Sequence, residues 1–115
     1  MLVSAPNSVE VVVDSDVLDE FTTRVDETSS RALGWDTPSE RSSGGDYITN
    51  EAFGHTGYTG TSIWMDPELD LWVILLTNRV HPTRENQKHV PLRRAVADAA
   101  VQAITDRTVE PRVNR

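Results

Sequence analysis

The residues best suited to chemistry in this chain lie in one stretch, Gly54-His55-Thr56-Gly57-Tyr58-Thr59-Gly60. It sets an imidazole beside a hydroxyl, a pairing fit for proton transfer and for hydrogen bonding to a polar substrate. Glycine recurs at every third position, at Gly54, Gly57 and Gly60. The spacing matches a phosphate cradle only in outline, because such a cradle needs a helix N-terminus behind it and a strand-like run follows here. Two readings of the glycines stay open: a strand that a ligand approaches closely, or a glycine-rich strand start needed for packing alone. His55, His81 and His89 share no metal-ligand spacing on one helix, and no HExxH occurs, so no metal site is expected. No cofactor is implied.

Around that stretch the sequence reads as a hairpin. Residues 61–65 form one arm, Asp66-Pro67-Glu68-Leu69-Asp70 the turn, and 71–76 the return. Pro67 suits the second position of a type I turn, and the flanking aspartates can accept from nearby backbone N–H groups. The return run is apolar at consecutive positions, which predicts a central strand covered on both faces, the spine of the sheet. Upstream, Val9–Val13 reads as a short strand or an irregular leader. Ser15 or Asp16 can cap a short surface helix through Val17, Leu18, Phe21 and Val25. Residues 31–37 read as a strand ending before Pro38, with Gly34 marking a bulge or close approach and Trp35 a core or wall residue. The polar segment 38–51, with Gly44-Gly45, is a loop long enough to serve as the rim of a site. Downstream, Pro91 fits a first helical turn, and residues 92–104 are predicted helical, with Leu92, Ala95, Val96, Ala99, Ala100 and Ala103 turned to the sheet. The expected fold is α+β: an antiparallel sheet of about three to four strands, a C-terminal helix packed across it and a short N-terminal helix. Residues 1–14 are a leader, 15–105 the folded part and 106–115 a frayed tail.

Composition narrows the function classes. The chain has 115 residues, enough for one domain at most, with 18 acidic and 11 basic side chains and a net charge of −7. No Lys/Arg cluster offers a footprint for nucleic acid or an anionic membrane, and both partners are excluded. The lack of cysteine rules out disulfides and thiolate metal sites and leaves the compartment open. The apolar runs are too short to span a bilayer, and the first residues lack the basic flank and apolar core of a secretion signal.

Taken in order, LGWDTPS, an SSGG loop, FGHTGYTGTSIWMDPELDLWVILLTNRVHPTREN and an LRRAVADA helix resemble the C-terminal portion of the serine β-lactamase superfamily. That superfamily includes class C β-lactamases, penicillin-binding proteins and esterases, and the resemblance covers residues 17–104. It implies a partial β-lactamase-like fold and hydrolysis of an amide or ester through an acylated serine. It also implies a periplasmic or extracellular setting. Carried over by position, His55 matches the Lys/His of the third motif, Thr56 its hydroxyl residue, Gly57 its glycine, and Tyr58 the residue whose backbone N–H helps hold the oxyanion. Histidine in place of lysine removes an assured cation, since reference values are near ~6.5 and ~10.4, and tilts the expectation from carboxylate-bearing β-lactams to ester or peptide-like substrates.

The resemblance also implies a Ser-x-x-Lys nucleophile and a Tyr-x-Asn or equivalent, and neither is present. Lys88 is the only lysine. Without nucleophile and base the covalent route has no starting atom, so the isolated chain is expected to be inactive. The unfamiliar leader fits a truncated reading frame. Two functions follow: a C-terminal hydrolase segment that works with an N-terminal segment, or a non-catalytic remnant that self-associates or binds another protein through exposed sheet edges.

Overall fold

The computed structural model describes residues 12–112, so Val9–Val11 of the β-branched run lie outside the described residues. Five elements follow one another: α1 (Ser15–Thr22), β1 (Phe53–Thr56), β2 (Ser62–Asp66), β3 (Leu71–Leu75) and α2 (His89–Gln102). The strands make one antiparallel sheet in the order β1-β2-β3, and the architecture is α+β.

The hairpin forms as its turn residues dictate. Asp66 ends β2 fully buried and accepts the backbone N–H groups of Glu68 (3.1 Å) and Leu69 (3.2 Å), while Asp70 closes the turn at φ +49°. The same carboxylate accepts Thr49 N–H (2.6 Å) and Thr49 Oγ1 (2.9 Å), tying the 38–51 loop to the turn. In the register Gly54↔Trp64↔Val73, side chains share one face, and His55↔Ile63↔Ile74 share the other. The first face holds the core of Trp64, Ile48, Ala52, Leu69 and Val101, closed by the loop and α2. On the second, Phe53 is buried edge-on against Trp35 (5.3 Å), but Trp72 and Ile74 are exposed.

Several expectations need correction. The apolar return run is an edge strand, not the central one; β2 is central, and β3 alternates between half-buried and exposed residues. Residues 31–37 make no strand. They form a tight turn with Gly34 at φ +82°, nothing near the position of its missing Cβ, and isolated bridges from Asp36 to Arg31 and Gly54. Helix α1 starts after Asp14 and ends before Val25, and none of its residues is buried. Helix α2 begins at His89, so Pro91 falls in its first turn, and it buries Arg93, Ala97 and Val101 while Leu92, Ala95, Ala99 and Ala103 face out. The alanines have too little surface to fix which stripe packs. A frayed tail was expected after residue 105, yet Arg112 is half-buried and donates to the carbonyls of Ile48 (3.0 Å), Ser39 (2.9 Å) and Gly45 (3.3 Å).

Replacing Asp66 by alanine strands four buried or half-buried donors and is expected to lower the unfolding free energy by about 3 kcal/mol in urea titration. A loss below about 1 kcal/mol would mean that water substitutes for the carboxylate.

Candidate functional site

Strand β1 has β2 on one edge and a single bridge on the other. Asp36 N–H donates to the Gly54 carbonyl at 2.8 Å, and Gly54 N–H donates back at 2.9 Å. Alternation of the ladder therefore turns the backbone of Thr56 toward the same outer edge, just beyond the bridge. His55 is exposed on the open face beside Ile63, and Thr56 is half-buried on the core face beside Ser62. The two side chains thus flank one short length of strand edge from opposite sides.

The loop after β1 is held entirely by its carbonyls. Gly57 C=O accepts from Gly60 N–H (3.1 Å) and Arg93 Nη2 (2.9 Å). Tyr58 C=O accepts from Arg79 Nε (2.7 Å), and Thr59 C=O from Arg79 N–H (2.8 Å). Gly60 C=O accepts from Thr77 Oγ1 (2.7 Å), and Thr61 C=O from Arg93 Nη2 and Gly57 N–H, both at 2.8 Å. The Tyr58 ring stands exposed under the Arg79 guanidinium at 4.3 Å, and its hydroxyl accepts from Arg84 Nη1 at 3.0 Å.

Packing accounts for the three glycines. A Cβ on Gly54 would lie 2.5 Å from the Trp64 indole, one on Gly57 would strike Thr61 Oγ1, and one on Gly60, at φ +117°, would lie 2.6 Å from Thr77 Oγ1. The backbone is close to protein at all three.

Charge near this loop is positive in an acidic chain. Burial, followed by the charge of Arg79, pulls Arg93 below the usual arginine value, which leaves it a cation at neutral pH. Burial, then Arg93 and Arg79, holds His89 below the usual imidazole value, and its place at the start of α2 also disfavours a proton. Sequence reading missed Arg93. Its only signal was the spacing to Ala97 and Val101, which puts all three on one helical stripe.

A cavity of about 750 Å³ lies at the opposite end of the hairpin, between α1, Phe53 and the Pro67–Glu68 turn. Asp19, Asp26, Glu27, Glu51 and Glu68 line it against Arg24, whose guanidinium is already committed to Thr37 Oγ1 and the Pro38 carbonyl. An acidic wall repels an anionic transition state, so size does not make this the reactive site. The middle of the 38–51 loop is fastened to α2 instead of standing open as a rim. Asp98 accepts the N–H groups of Asp46 (2.7 Å) and Tyr47 (3.2 Å), and Arg94 pairs with Asp46 at 2.8 Å.

The model of the Beta-lactamase family matches residues 14–98, most of the chain. The chain belongs to the Beta-lactamase family. It is 37% identical over 71 residues to an N-acetylmuramyl-L-alanine amidase of Bacillus subtilis (strain 168), a match covering 59% of the chain and 16% of that protein. It is 32% identical over 81 residues to a putative D-alanyl-D-alanine carboxypeptidase of Salmonella typhi, covering 68% of the chain and 19% of that protein. No solved structure matches. The Beta-lactamase-family chain thus spans under a fifth of these curated relatives and carries part of a serine-hydrolase-type fold.

Because His89 has its affinity for a proton depressed in the fold, its contribution is present above pH about 6.5 and is lost as pH falls through the lower folded value. Thermal midpoints should therefore drop less between pH 7.5 and 5 in His89→Gln than in the parent chain. Equal drops would remove His89 from the acid response.

Proposed function

We propose that this Beta-lactamase-family chain supplies one wall of a serine hydrolase site, with His55, Thr56 and the backbone N–H of Tyr58 facing the bond to be broken. The observation that carries this is the edge of β1. Beyond the Asp36 bridge it is flanked by an imidazole and a hydroxyl, and the peptide that follows belongs to a loop whose carbonyls are all bound elsewhere. A fixed N–H at such an edge is a preorganised dipole for the charge that develops on an acyl oxygen, and losing one such donor typically costs about 3–4 kcal/mol in barrier. The matched relatives are named an amidase and a carboxypeptidase, which supports acyl transfer at an amide or ester; the histidine at position 55 favours ester or peptide-like substrates over carboxylate-bearing β-lactams.

The attacking serine and its base come from an N-terminal segment of the same hydrolase, on this or another chain. Support lies in β3. Its apolar run has the composition of a strand covered on both faces, yet Trp72 is 42% and Ile74 57% exposed, and its outer edge pairs with no strand among the described residues. That surface belongs to a larger sheet. A second reading rests on the same face: a non-catalytic module that self-associates there.

Mixing the chain with a segment bearing Ser-x-x-Lys is expected to yield turnover of a chromogenic ester or β-lactam. His55→Ala and Thr56→Ala should each reduce kcat/KM by on the order of 10²-fold. Association of the two parts without turnover would sink the reading, and catalysis by the isolated chain would overturn its expected inactivity. Concentration-dependent dimers in sedimentation, lost in Trp72→Ser/Ile74→Ser, would instead favour the self-associating module.

A further inference from the structure

A trans peptide is planar, with its carbonyl and N–H pointing in opposite directions. The unit joining Gly57 to Tyr58 is therefore aimed by whatever holds the Gly57 carbonyl. Two donors do this, Gly60 N–H at 3.1 Å and one nitrogen of Arg93, and of the two only Arg93 brings a charge: its Nη2 donates to Gly57 C=O at 2.9 Å and to Thr61 C=O at 2.8 Å, spanning the two stems of the loop. Gly57 N–H already closes the loop on Thr61 C=O at 2.8 Å, so closure alone does not call for a cation. Yet Arg93 is only 9% exposed, its Nε has no partner among the described residues, and both of its hydrogen bonds go to neutral carbonyls. Burying a guanidinium with no carboxylate beside it is unfavourable unless its charge serves another purpose.

We infer that Arg93 is a positioning residue for the oxyanion donor, an inference that rests on the hydrolase-wall reading of β1. Pulling the Gly57 carbonyl inward turns the Tyr58 N–H away from α2, toward the outer edge of the strand. The positive charge at the carbonyl end also polarises the peptide and strengthens its N–H as a donor. Arg79 fixes the next two units, through Nε on Tyr58 C=O at 2.7 Å and its own N–H on Thr59 C=O at 2.8 Å. Both peptides of Tyr58 are clamped before substrate arrives, so no reorganisation is needed when charge appears.

The test compares Arg93→Met, which keeps the stem, with Arg93→Lys, which restores a cation and donors. In the full chain, the Tyr58 amide and Gly57 carbonyl-carbon resonances should move or broaden in Arg93→Met while those of Leu69 and Ala52 stay in place. In the complex with a Ser-x-x-Lys segment, kcat should fall about 10²-fold with KM within about 3-fold, and Arg93→Lys should recover about half of that loss on a logarithmic scale. If Arg93→Met does not fold, Arg93→Lys decides: a roughly 10-fold lower kcat at constant KM supports the assignment, and an unchanged kcat overturns it. A rise in KM at constant kcat also overturns it, because that is lost ground-state binding. A wild-type complex that associates without turnover sinks the hydrolase reading and this inference together. Wild-type turnover indifferent to Arg93 sinks this inference alone.

Discussion

The architecture depends on one aromatic side chain wedged between two backbones. Trp64 is 2% exposed, and its indole lies so close to Gly44 and Gly54 that a Cβ on either would fall within 2.7 Å of the ring. The indole N–H donates to Ser43 Oγ at 3.0 Å, so the wedge is both packed and hydrogen-bonded. Because Gly54 lies on β1 and Gly44 in the 38–51 loop, this contact sets how far the loop stands from the sheet. It also sets where β1 begins, and hence where its exposed end emerges. A side chain at either glycine would push the layers apart by more than a core tolerates.

How much of this could be read from the sequence depended on whether a residue's role was local. The Asp66–Asp70 turn was legible because proline and the aspartates act within a few residues of themselves, and Asp66 does accept from Glu68 and Leu69. The α+β class followed from the hairpin and the alanine-rich helix, and the order of motifs led to the family. The covered face of α2 was not legible. Arg93 appears polar in any periodicity count, and its burial follows from carbonyls at Gly57 and Thr61, more than thirty residues away. Residues 31–37 have the composition of a strand, but Gly34 turns the chain before a ladder can form, leaving Asp36 with isolated bridges to Arg31 and Gly54. Of the proposed site, the residue types were visible and the mechanics of the loop were not.

The misplacement of β3 is informative in itself. Consecutive apolar residues encode two covered faces, and the fold covers one. Local pattern and tertiary environment normally agree, and here the disagreement falls where a larger sheet would continue. The proposed site has the same character: the sequence carries an imidazole and a hydroxyl on β1 and no Ser-x-x-Lys.

Arg112 carries a consequence for how the molecule comes into being. Its guanidinium reaches carbonyls 64 to 73 positions earlier in the chain, at Ile48 and Ser39. The segment that lies against Trp64 therefore gains these last partners only once residue 112 has been synthesised. Contacts over such separations slow the search for the native state, and a nascent chain emerging from the ribosome carries its tryptophan wedge without a finished partner. Closure of this layer in this sense waits on a contact made far along the chain, and the interval before it is when chaperones or a second polypeptide have access to the unclosed layer.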